Sequence, residues 1–127
     1  MMVFENIINN IKIAEYFHLD EFQCPCCLQV ILHPLLLQKL NNLRNKIENP
    51  IIVTSGYRCS SYNVEVGGVK GSYHLFGMAA DIYAPKIPLK DLLNSAEEIG
   101  FSGIGYYPKG NFLHLDIRPA GPARWQG

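Results

Sequence analysis

The residues able to do chemistry gather in two short stretches. Ser72-Tyr73-His74-Leu75-Phe76-Gly77-Met78-Ala79-Ala80-Asp81 sets an imidazole and a carboxylate seven residues apart, with a glycine and two alanines between them. Phe112-Leu113-His114-Leu115-Asp116-Ile117 adds a second imidazole and a further carboxylate on a β-prone run. Two histidines and one aspartate with a free fourth position is the ligand count of a catalytic zinc, not of a closed structural one. One zinc per chain on His74, Asp81 and His114 is therefore the expected cofactor. Such an ion brings the pKa of its bound water to roughly 7 and polarises a carbonyl oxygen. Side chains at i and i+2 of a strand share a face, so His114 and Asp116 point the same way. Convergence with Asp81 then requires the two strands to be neighbours. Arg58, on a loop at a strand end, suits a substrate carboxylate or a developing oxyanion.

Other readings of the same residues stand beside this one. Asp81 lies in Ala-Ala-Asp-Ile-Tyr, where an unpaired carboxylate is costly to bury, and Asp116 is in the same position. Arg58 or Arg118 would satisfy either as well as a metal does. His18 and His33 read as hydrogen-bonded core residues, and Trp125 by itself as core packing. Three of the four cysteines crowd into Cys24-Pro25-Cys26-Cys27, and Cys59 follows more than thirty residues later. Cys24-x-x-Cys27 has the spacing of half a zinc site, but no second Cys-x-x-Cys completes it. A tie to Cys59, a second metal and redox chemistry all remain open.

The elements that must position these groups follow from periodicity and punctuation. Apolar residues at Phe4, Ile7, Ile8, Ile11 and Ala14 suggest an amphipathic helix over residues 3–17, within an N-terminal helical segment 1–20. Leu19 to Phe22 is a turn leading to the cysteines. Pro34 opens a helix with Leu36, Leu40, Leu43 and Ile47 on one face, stopped by Asn49-Pro50. Ile51 to Ser55 reads as a buried strand, and Ser60 or Ser61 as the cap of a short helix ended by Gly67-Gly68. Ala79 to Tyr83 is a strand. Pro88 opens a second helix closed by Gly100, with Leu89, Leu92, Leu93 and Ala96 inward. Ile104 to Tyr107 and Phe112 to Ile117 form a hairpin, and residues 119–127 an irregular tail. The order predicts an α+β class, one domain over 1–127, with a small, mostly antiparallel sheet and flanking helices.

Composition narrows the partners. Eleven basic and eleven acidic residues give a formal charge of zero, and the basic ones are scattered, so no nucleic-acid partner is expected. No apolar run approaches the ~20 residues that span a bilayer. Met1 to Asn6 lacks a basic region followed by an apolar core, so the expectation is cytoplasmic synthesis without a secretory signal. The oligomeric state is not legible.

Taken together, Ser55-Gly56-Tyr57-Arg58, Tyr62-Asn63, Val66-Gly67-Gly68, Ser72-x-His74-x-x-Gly77-x-Ala79-x-Asp81, Phe112-x-His114-x-Asp116 and Arg124-Trp125 resemble the M15 zinc peptidases, in the subgroup related to zinc D-Ala-D-Ala carboxypeptidases. The Glu21-Phe22-x-Cys24-x-Cys26-Cys27 entry segment is similar to the start of small members of that subgroup. The resemblance implies a hedgehog/D-Ala-D-Ala-peptidase type fold. It also implies cleavage of peptidoglycan stem peptides at D-amino acids, as a carboxypeptidase or an endopeptidase. It assigns zinc to His74, Asp81 and His114, substrate contact to Arg58, and places near the site to Ser72 and Trp125. A phage lysis or virion-associated role would bring such an enzyme to the wall. One position departs: several members carry the general-base carboxylate three residues before the last histidine, and here that residue is Asn111. An amide cannot take the proton. Asp116 is the expected replacement, with Glu65 a second choice, unless Asp116 orients a ligand from behind. The alternative is a zinc-stabilised binding module of the same fold with weak or no catalysis.

Overall fold

The computed structural model describes residues 8–127. The first part of the expected N-terminal helix, with Phe4 and Ile7, lies outside the described residues. From residue 8 onward the chain is not helical but a small antiparallel pair, β1 (Lys12–Ala14) and β2 (Phe17–His18). The reason is local: Asn9 adopts φ 61°, a left-handed conformation that ends any helix. The side chain of Asn9 then donates to the Leu28 carbonyl at 2.7 Å and to Gln23 at 2.9 Å, tying this segment to the cysteine turn. A single 3-10 turn follows at Leu19–Phe22 and buries Phe22 against Phe17.

Helix α1 (Pro34–Ile47) starts where proline permits it. Its N-cap is His33, whose Nδ1 accepts from the Leu35 amide at 3.1 Å. That residue is exposed, as is His18, which bonds Asn10 at 3.0 Å, so neither histidine belongs to the core. Leu36, Leu40 and Leu43 are fully buried on the predicted face. Helix α3 (Leu89–Ile99) buries Leu92 and Ala96 and ends at Gly100, φ 91°. Helix α2 (Ser60–Glu65) is capped by position at Cys59 rather than by a serine, with no side-chain hydrogen bond there.

The sheet runs in the order β3 (Ile52–Ser55), β4 (Ala79–Tyr83), β6 (Phe112–Asp116), β5 (Gly103–Tyr107), β7 (Ala123–Gln126). All pairs are antiparallel except β5 with β7. Two expectations change here. Strand β3 is an edge strand, with Ile52 exposed, because its β-branched run has only β4 as a neighbour. The tail is not irregular throughout: residues 123–126 return to pair beside β5, with Ala123 donating to the Ser102 carbonyl at 2.8 Å.

Strand alternation separates core from site. On β6, Leu113 and Leu115 face the helices and are 0% exposed; on β4, Ala80 and Ile82 do the same. Each fully buried leucine is worth ~1.5–3 kcal/mol in transfer terms, so this alternation holds the register firmly. The opposite face, carrying Asp81, His114 and Asp116, is therefore turned away from the helices. Among the described residues, no helix is long and apolar enough to cross a membrane.

Candidate active site

Register builds the centre. Asp81 on β4 sits directly opposite His114 on β6, so their side chains emerge side by side on the face the helices leave open. His74 arrives from a 3-10 turn, Tyr73–Phe76, whose N-cap Ser72 accepts from the His74 amide at 3.3 Å. Gly77 ends that turn at φ 67°, and a Cβ there would collide with the Ile31 carbonyl. The three ligand-capable atoms, His74 Nε2, Asp81 Oδ1 and His114 Nδ1, lie within 4.8 Å of one another. Each imidazole nitrogen is 3.2 Å from Asp81 Oδ1.

The hydrogen bonds behind these atoms define what they can hold. His74 Nδ1 is 2.7 Å from the Gly56 carbonyl, which can only accept, so Nδ1 carries the proton and Nε2 presents a lone pair. His114 Nε2 is 2.7 Å from Asp116 Oδ2 and donates to it, leaving Nδ1 as a lone pair. Two imidazole lone pairs and a carboxylate oxygen thus converge with no hydrogen among them. Such a donor set is suited to a cation. The 3.2 Å separations match the ~3.3 Å edge of a tetrahedron with bonds of ~2.0–2.1 Å, so the donor set fits a zinc ion with a fourth position open.

Charge is arranged to keep the carboxylates ionised. Burial by itself would raise the pKa of Asp81, but the imidazoles of His114 and His74, which carry the positive charge beside it as protons when no metal ion does, outweigh that and hold it well below the usual carboxylate range. Arg58 adds an ion pair to Oδ2 at 3.3 Å. Asp116 is likewise held low: burial opposes ionisation, and His114 and Arg118 overcome it. His114 is pushed up, since the two carboxylates beside it outweigh its burial.

The centre opens onto a cavity of about 610 Å³. Arg58, Ser72, Tyr73, Phe112, Arg118 and Trp125 are among its walls. Trp125 stands on β7 with its ring 5.1 Å from that of His114, and its Nε1 donates to the Tyr107 hydroxyl at 2.7 Å. The Arg118 guanidinium lies 4.8 Å from the Tyr73 ring and 5.1 Å from the Trp125 ring, bridging the two sides of the mouth. Glycines make this possible. Gly103 lies opposite Asp116 and Gly105 opposite His114, and a side chain at either would occupy the space now taken by the Asp116 carboxylate or the Trp125 indole. A Cβ on Gly105 would come within 2.6 Å of the indole. Gly105→Ala should therefore push Trp125 off His114, alter the near-ultraviolet CD of the only tryptophan, and lower activity roughly 10–100-fold while zinc stays bound. Unchanged CD and turnover would show that the indole has room to spare.

The structure brings His74, Asp81, His114, Arg58, Ser72 and Trp125 to one place. Asp116 is the exception. It is 0% exposed, sits behind His114, and both oxygens are engaged by Arg118, through its backbone amide and its guanidinium. A proton acceptor has to face the reacting water, so the expectation that Asp116 takes that proton gives way to the positioning role. Glu65, exposed at the end of α2, does not line the cavity either. Among the described residues lining it, Asp81 alone carries a carboxylate. Arg58 is partly committed as well, donating to Ser55 Oγ, Asn63 Oδ1 and Asp81. Sequence reasoning missed Tyr73 and Tyr107 as site residues and offered Arg118 only as an ion-pair partner for a buried aspartate, not as a wall of the cavity.

A sequence model of the family described as Peptidase M15 matches residues 15–116. A probable peptidoglycan L,D-endopeptidase MepK of Haemophilus influenzae is 37% identical over 105 residues, covering 76% of this chain and 55% of that protein. The peptidoglycan L,D-endopeptidase MepK of Escherichia coli K12 is 34% identical over 96 residues, 70% of this chain and 53% of that protein. The zinc D-Ala-D-Ala carboxypeptidase of Streptomyces albus G is 33% identical over 81 residues, 61% of this chain and 32% of that protein. The chain spans about half the length of the first two.

Proposed function

The chain belongs to the M15 peptidase family, and from that premise we propose that it is a zinc peptidase cleaving peptidoglycan stem peptides, as an L,D-endopeptidase. The observation that carries the metal reading is the convergence of His74 Nε2, Asp81 Oδ1 and His114 Nδ1 with their tautomers already set for coordination. The likeness to two MepK proteins favours the endopeptidase over the carboxypeptidase.

His74, Asp81 and His114 would hold the zinc. Bound there, it supplies an activated water and Lewis-acid polarisation of the scissile carbonyl. The protein's own residues do the rest. Asp116 accepts the His114 Nε2 proton, so that Nδ1 keeps its lone pair and the ring its orientation. The Gly56 carbonyl does the same for His74. Arg58 neutralises Asp81 Oδ2 and has guanidinium hydrogens left to meet a carbonyl or carboxylate oxygen of the stem. Arg118, stacked between Tyr73 and Trp125, places a second positive charge at the mouth for an anionic stem peptide. Ser72 fixes the turn that delivers His74, and the Trp125 face gives the stem an apolar wall.

Purified peptidoglycan incubated with zinc-loaded protein, then analysed by mass spectrometry, tests the reading. Fragments cut at an L,D bond of the stem are expected, and a chelator should suppress them. Loss of a terminal D-Ala alone would move the activity to the carboxypeptidase class. No product at all, with zinc still on His74, Asp81 and His114, would leave the binding module as the reading.

A further inference from the structure

The four cysteines form a second centre. The sulfurs of Cys24, Cys26, Cys27 and Cys59 all lie within 4.8 Å of one another, although Cys59 is 35 residues from Cys24. Three of the separations are 3.2, 3.5 and 3.6 Å, between Cys26 and Cys59, Cys24 and Cys26, and Cys24 and Cys59. A tetrahedral zinc with Zn–S bonds of ~2.3 Å has sulfurs ~3.8 Å apart, whereas a disulfide requires ~2.05 Å. All four are free thiols. The missing second Cys-x-x-Cys is thus replaced in space by Cys26 and Cys59.

The backbone is shaped for thiolates. Residues 24–29 close into a tight turn, Leu28 donating to the Cys24 carbonyl and Cys24 to the Gln29 carbonyl, each at 2.8 Å, with Leu28 at φ 62°. Backbone amides of Cys59 and Cys26 point at the Cys24 sulfur, and that of Gln29 at the Cys27 sulfur. Burial pushes the Cys24 thiol up, but these donors outweigh it and bring it down to about 6.

We propose that Cys24, Cys26, Cys27 and Cys59 bind a second, structural zinc ion in a closed four-sulfur site, distinct from the catalytic centre. Four thiolates fill the tetrahedron and leave no position for water, so the site braces the chain and does no hydrolysis. Binding releases the remaining thiol protons to solvent. What it braces is specific. Cys59 follows Arg58, and the same loop supplies the Gly56 carbonyl that orients His74. Tyr57 donates to the Phe22 carbonyl at 2.8 Å, two residues before Cys24, and Gly56 packs so closely on Phe22 that a Cβ would meet its backbone at 2.6 Å. The metal clamps the N-terminal strap onto the loop that positions the catalytic ligand and the substrate arginine.

Cobalt titration of reduced, metal-free protein distinguishes the two centres. A four-thiolate site gives intense visible bands and sulfur-to-cobalt charge transfer in the near ultraviolet, which a centre of two imidazoles and a carboxylate cannot. The thiolate bands should persist in His114→Ala, and zinc content should fall from two ions per chain to one in that variant. Cys26→Ser with Cys27→Ser should abolish the bands, leave one zinc on the catalytic centre, and lower the thermal midpoint. If that variant does not fold, the wild-type spectrum decides. Thiols alkylated in zinc-loaded protein as fast as in the unfolded chain, without thiolate bands, would overturn the proposal. So would an intact mass of the protein as purified two hydrogens short, which would mark a disulfide among the four cysteines instead.

Discussion

Replacing His114 by alanine is expected to cut stem-peptide turnover on the order of 10³-fold or more, ~4 kcal/mol of barrier. The catalytic centre would lose its zinc and the chain would stay folded. Two ligands, His74 and Asp81, are too few to retain the ion against water. Folding survives because the imidazole faces the cavity, while Leu113 and Leu115 on either side, both 0% exposed, keep β6 in the core. The variant also removes one of the two groups that hold Asp81 ionised, so Arg58 must carry more of that charge. Metal analysis with a kinetic assay reads both effects. Wild-type turnover and metal content in this variant would sink the assignment of His114 as a ligand.

Asp116→Asn should come next in size and fail for a different reason. The change is isosteric, but the amide can present its NH₂ to His114 Nε2 and so move the ring proton to Nδ1, where the zinc lone pair has to be. Loss of such a partner typically costs 10–100-fold in metal affinity or activity. A stability cost accompanies it, because Arg118 loses the carboxylate it grips through Nε and a terminal nitrogen. Breaking a buried pair costs ~3–5 kcal/mol, and this one falls toward the lower figure since Arg118 is partly exposed. Arg118→Met separates the two effects: it should lower stability yet leave zinc affinity near the wild-type value. If Asp116→Asn instead kept full zinc affinity and lost all turnover, Asp116 would be a proton-transfer group after all, and its burial would have to be relieved on substrate binding.

The ligand triad was legible because its signal is local. His74 and Asp81 stand in an uninterrupted motif, and the period-two alternation of Phe112 to Asp116 told which side chains share a face. Helices α1 and α3 were legible for the same kind of reason, through Pro34, Gly100 and the spacing of their leucines. The N-terminal segment was misread because the isoleucines that suggest helix at 3–4 spacing also suit strands, and the left-handed turn at Asn9 outweighed periodicity. Strand β7 was missed because its partner, β5, lies across the hairpin in sequence, and nothing in Ala-Arg-Trp-Gln alternates strongly enough to announce a strand.

By itself the sequence determined the α+β class, the family resemblance, the three candidate ligands and the departure at Asn111, all properties of short motifs or of their order along the chain. Tertiary structure alone decided which carboxylate faces the cavity and which lies behind a histidine. It turned Arg118 and Tyr73 into walls of the site, and closed a distant cysteine onto a Cys-Pro-Cys-Cys turn. Those outcomes depend on strand register, on two side-chain-free positions at Gly103 and Gly105, and on a loop folding back across 35 residues. A hydrogen bond's direction and a tetrahedron's edges are relations between atoms far apart in the chain, and only packing sets them.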